Sequence, residues 1–289
     1  YSAVLPTPRT FSGKFNDTEL IYTGKVAYAF ADPINIYASF THGYKSGGFN
    51  LDSTAAAGGA DPRFDSEEVD SYEIGLKAKF LDNAVTLNLA VFREQFSNFQ
   101  IVEYTGVQFR TFNVAKAVTQ GLEIETMLRP SDHFTVNAAL TYTDAYYPGD
   151  CAGTQTTVNV LALCGNSLTN APDFVGIAGA TYTNDIGMNL AYFLNGQVRF
   201  EGDRRTSTQA VDPINLTALP FVVQDSNIKI NLRAGIGSQD EAWGIEAFVT
   251  NLTNEVTRGV TFATILRSGS QSVFVQDPRS YGLTLRGKF

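Results

Sequence analysis

Residues that could carry acid–base or metal chemistry are few and widely separated. The chain has two histidines, His42 and His133, and neither has a second metal ligand or a catalytic partner at a familiar spacing such as HExxH. No glycine-rich phosphate-binding motif precedes a helical pattern. The sequence therefore predicts no catalytic residue, no resident metal, no cofactor and no enzymatic activity.

Two cysteines, Cys151 and Cys164, fall in one long segment between predicted strands. In an oxidising compartment such a pair predicts a disulfide that closes the loop and stabilises it by about 3 kcal/mol, with a metal-binding pair as the alternative. Calcium held by an acidic cluster is a second metal hypothesis, although solvated loop charge is the simpler interpretation. The cluster comprises Asp61, Asp65, Glu67, Glu68 and Asp70.

Composition and net charge narrow the class of protein. Charged residues make up 17% of the 289 residues and aromatic residues 12%, whereas a typical soluble protein carries about 25% charged residues. The net charge of −8 includes no basic stripe that would neutralise phosphates, which argues against a nucleic-acid partner. No apolar run approaches the ~18 residues of a spanning helix, so a membrane form of this chain would have to cross with strands.

Hydrophobic alternation with a period of two runs through nearly the whole chain, and no long helical periodicity interrupts it. Within 70–80, for example, Ile74 and Leu76 alternate with Glu73 and Lys77. Such strands have one apolar face and one polar face. The predicted strands lie at 19–30, 34–44, 70–80, 84–102, 117–129, 134–145, 173–183, 188–201, 225–237, 243–251 and 279–288.

The links between these strands alternate strictly in length. The short links lie at 31–33, 81–83, 130–133, 184–187 and 238–242 and contain Asp, Asn, Pro or Gly. The long links lie at roughly 45–69, 103–116, 146–172, 202–224 and 252–278. Short turns on one rim and long loops on the other are typical of a bacterial outer-membrane β-barrel, whereas an antiparallel sandwich has no reason to keep that asymmetry.

Aromatic residues gather near the predicted strand ends, where amphipathic rings would meet lipid headgroups. Packing in a soluble core is the alternative, but it would spread the rings along the strands. The examples are Tyr28, Phe30, Phe40, Tyr44, Phe96, Phe99, Tyr146, Tyr147 and Trp243.

Arginine and tyrosine side chains are frequent in the long loops, which makes those loops the predicted ligand-binding surface. Guanidinium and phenol groups together suit an anionic, aromatic-rich ligand through charge-assisted hydrogen bonds and stacking. The alternative is that the rings anchor to lipid and the arginines pair with lipopolysaccharide phosphates. The candidate ligand-binding residues are Tyr44, Arg63, Tyr104, Arg110, Tyr146, Tyr147, Arg204, Arg205 and Arg267.

Seven segments, taken in order, resemble the barrel of TonB-dependent receptors. The largest is Ile-Tyr-Ala-Ser-Phe-Thr-His-Gly-Tyr-Lys-Ser-Gly-Gly-Phe-Asn at 36–50. The others are the strand at 70–80, Ala90-Val91-Phe92, Gly121-Leu122-Glu123-Ile124-Glu125, Asn170-Ala171-Pro172, Val249-Thr250-Asn251-Leu252-Thr253-Asn254, and Asp277-Pro278-Arg279-Ser280-Tyr281-Gly282 leading to a terminal Phe289. Together they span most of the chain.

The resemblance implies a 22-stranded transmembrane barrel whose lumen is filled by an N-terminal plug domain. The chain would then supply about the last eleven strands as an open partial barrel over residues 1–289, with the plug and the first strands absent. Strand parity agrees with this interpretation. The last strand must end on the periplasmic side, and the first of eleven also runs towards a short turn.

By the same resemblance, the chain belongs to a receptor in the outer membrane of a Gram-negative bacterium that imports a nutrient actively. The ligand would be a ferric siderophore, with haem, cobalamin or an oligosaccharide as alternatives. Expected partners are outer-membrane lipid and lipopolysaccharide, the plug, and the TonB complex acting through the missing N-terminus. Phe289 resembles the signal that the barrel-assembly machinery reads.

Two other interpretations fit parts of the sequence. The first is a complete 12-stranded barrel that acts as a porin or an outer-membrane enzyme, which the length permits. The odd number of predicted strands and the missing catalytic set argue against it. The second is a soluble β-rich adhesin or lectin.

Overall fold

A computed structural model describes residues 12–51, 62–104, 109–209, 211–212, 222–265 and 267–288. The strands are β1 (Tyr22–Ala31), β2 (Ile34–Lys45), β3 (Gly48–Phe49), β4 (Arg63–Phe64), β5 (Glu67–Phe80), β6 (Val85–Tyr104), β7 (Phe109–Ser131), β8 (Phe134–Tyr146), β9 (Phe174–Gly187), β10 (Leu190–Glu201), β11 (Arg204–Arg205), β12 (Val223–Gln224), β13 (Asn227–Ser238), β14 (Trp243–Thr250), β15 (Arg258–Ala263), β16 (Gln271–Val275) and β17 (Ser280–Gly287), and a single-turn helix, α1, covers Val158–Leu161.

Eleven strands form one antiparallel sheet in the order β1-β2-β5-β6-β7-β8-β9-β10-β13-β14-β17. These eleven correspond one to one with the predicted strands, so the all-β antiparallel class is confirmed. The remaining short strands pair as β3-β4, β11-β12 and β15-β16 within the long loops. Among the described residues, β1 and β17 each pair on one side alone. The sheet is therefore open, and the total of 22 strands stays a prediction.

One predicted boundary is wrong. The link expected at 103–116 is mostly strand, because β6 continues to Tyr104 and β7 begins at Phe109. Cross-strand pairing is unbroken at Ile101↔Phe112 and Tyr104↔Phe109. Apolar and polar residues do not alternate regularly in this stretch. Its described residues pack against loops, so the stretch does not have one apolar and one polar face.

The sheet separates an apolar face from a polar face. Ile74 and Leu283 point to the apolar face and are 62% and 75% exposed, with no protein covering them in the described structure. Glu73 and Thr284, their neighbours in sequence, point to the polar face. The alternation of apolar and polar residues creates this apolar surface along every long strand. An exposed apolar surface of this extent needs an apolar surrounding. In the part of the chain that the structure describes, no helix is both long and apolar enough to span a membrane.

Aromatic rings on the polar face lie over glycines of the adjacent strand. The directly paired residues are Tyr37↔Gly75, Phe92↔Gly121, Phe193↔Gly235 and Phe248↔Gly282. A Cβ atom at each of these glycines would meet the ring at or inside van der Waals contact. The missing side chain therefore makes the space for the ring, and each pair fixes the register of two neighbouring strands.

The substitution Gly235→Val is expected to destabilise the intact protein by about 1–3 kcal/mol, because the new side chain overlaps the Phe193 ring and comes within 3.1 Å of the Ile245 carbonyl oxygen. Gly176→Val is the matched control, since the closest atom there, Leu140 Cδ1, lies 3.7 Å away. The free energy of unfolding in urea measures the difference. Equal destabilisation of both variants would contradict the role given to the ring pairs.

Candidate functional site

All nine candidate ligand-binding residues lie at the end of the sheet that carries the long loops, here called the long-loop end. The opposite end carries the short turns and is called the short-turn end. The long-loop end begins where β6 and β7 outgrow their neighbours, since β5 last pairs with β6 at Glu68↔Ser97 and β8 last pairs with β7 at Val118↔Tyr146. Residues 98–104 and 109–117, here called the hairpin, therefore extend beyond the neighbouring strands and support the loops.

A small hydrophobic core joins this hairpin to the loop between β8 and β9. Val114 of β7 is fully buried, together with Tyr147, Val160 and Leu163 of the loop. The remaining buried members are Ile101, Ala117, Cys151, Ala152 and Val211, with Phe96, Phe99 and Phe112 packed against them. The prediction that Tyr147 meets lipid headgroups is therefore wrong, because its ring is buried in this core. Phe96 and Phe99 pack against the core and are partly buried, so their contact with headgroups stays a prediction.

The disulfide between Cys151 and Cys164 belongs to the same loop. The two Cα atoms are 5.3 Å apart, and α1 lies between the two cysteines. Cys151 is completely buried in the loop core, and its carbonyl oxygen accepts a hydrogen bond from the Lys116 amide at 3.2 Å. The loop is thus attached to β7 by packing, by backbone hydrogen bonding and by its own covalent closure.

A buried carboxylate, Glu103, lies beside this core and is 3% exposed. Asn159 donates hydrogen bonds of 3.0 and 2.9 Å to its two oxygens, and Arg110 lies 3.8 Å away. Burial raises the pKa of Glu103, and the Asn159 hydrogen bonds and the Arg110 charge offset that rise in part. Sequence reasoning missed this residue, because it falls in a stretch predicted as loop.

Glu201 connects a second group of loops. It accepts a hydrogen bond from Arg204 Nε at 2.5 Å and a second one from Arg199. Arg204 Nη2 donates to the Arg258 carbonyl oxygen at 2.9 Å, which links the loop after β10 to the loop after β14. Part of this cluster was predictable from the sequence. Arg199 and Glu201 are two residues apart on β10, so the alternation places both side chains on one face.

Aromatic contacts link the hairpin tip to the last long loop. Tyr104 packs against Phe109 at 5.0 Å and edge-on against Phe262 at 5.5 Å between ring centroids. Phe262 in turn contacts Phe274 at 5.5 Å. Arg110 lies over the Phe112 ring at 5.5 Å. The long-loop end is therefore one connected structure, built from the hairpin and the loops that follow β8, β10 and β14.

The nine candidates divide by exposure. Arg63 and Arg267 are exposed, the Arg110 side chain is 42% exposed, and the tyrosines at 44, 104 and 146 are half-buried. Tyr44 donates a hydrogen bond to Asp17 at 2.7 Å. These six residues can therefore contact a ligand without a loop rearrangement.

The other three candidates are enclosed by protein. Tyr147 is 2%, Arg204 7% and Arg205 5% exposed. Arg205 donates to the Ser167 carbonyl oxygen at 2.9 Å, and burial raises the pKa of Tyr147. Their contacts hold loops together, and a part for them in ligand binding stays a prediction.

Two members of the acidic cluster considered for calcium contact other protein groups. Asp70 lies 2.7 Å from His42 Nδ1, and Glu67 accepts a hydrogen bond from the Gln100 amide at 2.6 Å. Within the described ranges, no group of three or more His, Cys, Asp or Glu side chains is arranged to hold a metal ion. Asp61 and also Phe289, the predicted assembly signal, lie outside the described residues.

A family profile described as TonB dependent receptor-like, beta-barrel, matches residues 3–252. The chain belongs to this family. The match confirms the predicted resemblance and places the chain among receptor barrels and not among enzymes.

Sequence and structure comparisons agree with this membership. The pesticin receptor of Yersinia pestis is 31% identical over 132 residues, which are 45% of this chain and 19% of that receptor. The structure is similar to the ferric yersiniabactin uptake receptor FyuA from Yersinia pestis, with a TM-score of 0.75 and 21% identity over 96% of this chain and 38% of that one. The structure is also similar to the siderophore receptor PiuA from Acinetobacter baumannii, with a TM-score of 0.65 and 18% identity. That match covers 92% of this chain and 35% of the PiuA chain. The chain thus spans well under half the length of these relatives.

The substitution Glu103→Gln is expected to flatten the pH dependence of stability. A carboxyl group whose pKa is raised by folding stabilises most when the pH is below its unfolded pKa of about 4.3, and that contribution is lost as pH rises through the folded pKa. The thermal midpoint of the wild type should therefore fall relative to that of the variant as the pH is raised from below about 4.3 through the raised pKa of Glu103.

Glu241→Gln is the control for this titration, because the Glu241 side chain is 84% exposed at the short-turn end. A flattening that is seen in Glu103→Gln and not in Glu241→Gln is assigned to the buried carboxylate. Parallel profiles for the wild type and Glu103→Gln would contradict a raised pKa of Glu103 in the folded protein.

Proposed function

We propose that the chain forms the C-terminal half of the barrel wall of a TonB-dependent receptor that imports ferric siderophores across the outer membrane of a Gram-negative bacterium. The main support is the open eleven-stranded sheet, whose bare apolar face and two free edges resemble part of a closed barrel. Family membership and the names of its relatives, a siderophore receptor among them, favour this ligand class. A passive 12-stranded barrel fits less well, because the described residues form eleven long strands and leave the outer edges of β1 and β17 unpaired.

In this proposal the apolar face contacts lipid and the polar face lines the lumen. A strand needs about 9–11 residues to cross a bilayer, and β6 and β7 have 20 and 23. The excess at the long-loop end supports a location of residues 98–104 and 109–117, with the loops packed on them, outside the cell among lipopolysaccharide. The short turns would then lie in the periplasm.

The other parts of the proposed receptor would lie outside this chain. Eleven further strands would pair with the edges of β1 and β17, and a plug domain would fill the lumen. A segment near the plug would contact the TonB complex, which supplies the energy for import. The terminal Phe289 would be read by the assembly machinery.

The ligand would first meet the exposed group at the long-loop end. Arg63, Arg110 and Arg267 offer cationic groups at that end, and Tyr44, Tyr104 and Tyr146 offer phenol rings. The buried core and the Glu201 cluster would hold these side chains in place. A ligand-binding surface gains affinity when its groups are fixed in advance, since less conformational freedom is lost on binding.

Uptake of radioiron tests the proposal. The intact gene is expressed in a bacterium that lacks its own siderophore receptors, and cells receive ferric yersiniabactin, a ferric tris-catecholate or a ferric tris-hydroxamate. We expect accumulation of at least one complex, and no accumulation in an otherwise identical strain without TonB. Equal uptake in both strains would indicate a passive pore.

Arg267→Gln should weaken surface binding of the imported complex about tenfold, as expected for loss of one charge-assisted contact. Arg129→Gln removes the same charge at the short-turn end and should leave binding unchanged. A binding constant that is the same in wild type and Arg267→Gln would remove Arg267 from the proposed site.

A further inference from the structure

A carboxylate and a guanidinium face each other near the far end of the hairpin. Glu103 of β6 pairs directly with Arg110 of β7. The Glu103 side chain is 4% exposed, whereas the Arg110 side chain is 42% exposed. The pair therefore keeps its negative group inside the protein and presents its positive group to the surface.

The two groups are close, but they do not share a hydrogen bond. Arg110 Nη2 lies 3.8 Å from Glu103 Oε2, and a charge-assisted hydrogen bond needs about 2.7–2.9 Å. Asn159 Nδ2 donates instead to both Glu103 oxygens, at 3.0 and 2.9 Å. The Arg110 guanidinium lies 5.5 Å from the centre of the Phe112 ring. Each partner is thus held in place by a third group.

This arrangement differs from that of Glu246 and Arg233. Arg233 Nε donates to Glu246 Oε1 at 2.8 Å, so that carboxylate fixes the position of its arginine by a direct hydrogen bond. Glu103 acts on Arg110 through its charge alone. The effect of Glu103 on Arg110 therefore depends on whether the carboxyl group is ionised.

The protonation state of Glu103 is coupled to the charge at Arg110. Burial raises the pKa of Glu103, while the Asn159 hydrogen bonds and the positive charge of Arg110 offset part of that rise. In the described part of the chain, Arg110 is the one charged side chain that shifts this pKa. An anion that neutralises Arg110 would remove its effect and raise the pKa of Glu103 further.

Arg110 lies where a ligand can reach it. The hairpin extends beyond the neighbouring strands, so a plug within the lumen of the sheet does not have to cover this side chain. Phe109, the preceding residue, is 69% exposed and lies on the opposite face of the strand. The described residues therefore close neither face of the hairpin at this level.

We infer that Arg110 and Glu103 form an anion-binding subsite in which a proton on Glu103 sets the affinity. The inference rests on the proposed function and concerns how that site regulates its affinity for a negatively charged ferric complex. With Glu103 ionised, the pair has no net charge, and the carboxylate repels an anion at Arg110. With Glu103 protonated, the pair has one positive charge. Binding of the anion therefore draws a proton from solvent onto Glu103.

Binding of two radioiron complexes to the intact receptor tests the inference at about pH 8 and about pH 6. The tris-catecholate complex is trianionic, and the tris-hydroxamate complex is neutral. Glu103→Gln removes the charge and keeps the shape of the side chain. Asn159→Ala removes the hydrogen bonds that favour the ionised carboxylate, so Glu103 should hold its proton to a higher pH in that variant.

Asp150→Asn is the matched control. The Asp150 side chain belongs to the loop after β8, is 70% exposed and pairs with Lys116, whose hydrogen bond lowers the pKa of Asp150. This carboxylate therefore stays ionised at both pH values. Its removal should not change the pH dependence of binding.

At about pH 8, we expect Glu103→Gln to bind the trianionic complex about threefold more tightly than the wild type, since the repulsion of one unit charge across a guanidinium has about this size in water. The advantage should shrink as the pH is lowered towards the raised pKa of Glu103. Asn159→Ala should also bind the trianionic complex more tightly than the wild type at about pH 8. Neither variant should change the affinity for the neutral complex.

Equal affinities of the wild type and Glu103→Gln for the trianionic complex at the higher pH would overturn the inference. An advantage of the same size at both pH values would overturn it too, because no proton would then be involved. Weaker binding of both complexes by both variants is the result expected if Glu103 and Asn159 only support the loops, and it would also overturn the inference.

The proposed function fails in a different way. A wild type that does not bind the trianionic complex overturns the inference and leaves a TonB-dependent importer of other complexes standing. Absence of TonB-dependent uptake for every ferric complex tested removes the importer and the inference together.

Discussion

Backbone hydrogen bonding in an apolar surrounding is the constraint on which this structure depends. Amide and carbonyl groups that lie next to hydrocarbon must find partners within the protein, since no water is available to them. An antiparallel sheet with ten consecutive strand pairings meets this requirement everywhere except at its two edges. The other features described here follow from that arrangement. A wall one strand thick has two surfaces in different surroundings, and its loops are free to carry function.

The period of two made most of this wall predictable from the sequence. The strand predicted at 188–201 is β10 at Leu190–Glu201, and the one predicted at 243–251 is β14 at Trp243–Thr250. Each residue in these strands contacts either the apolar or the polar surrounding. Its apolar or polar character therefore indicates which face of the sheet its side chain is on. The signal fails at 109–116, where Val114 is buried in the loop core and Phe109 is 69% exposed. An apolar residue there no longer indicates one face of the sheet.

The candidate site was predictable in its location and less so in its internal order. The long links show which end of the sheet carries the loops, and all nine candidate residues lie there. Which of them are enclosed depends on contacts far apart in sequence, such as Arg205 with Ser167 and Arg204 with Arg258. No local pattern encodes such contacts. For the same reason Glu103, whose partner Asn159 is in another loop, has no signature in its own segment.

The orientation of β8 in the outer membrane tests the central claim most directly. Asp132→Cys lies at its short-turn end and Thr154→Cys in the loop beyond its other end, while Cys151 and Cys164 remain joined and unreactive. Intact cells that express either variant of the complete protein are treated with a membrane-impermeant maleimide, and lysed cells serve as the control. Labelling of Thr154→Cys in intact cells, with Asp132→Cys labelled after lysis alone, is the predicted result. The reverse pattern, or equal labelling of both in intact cells, would contradict a wall that crosses the membrane with its long loops outside.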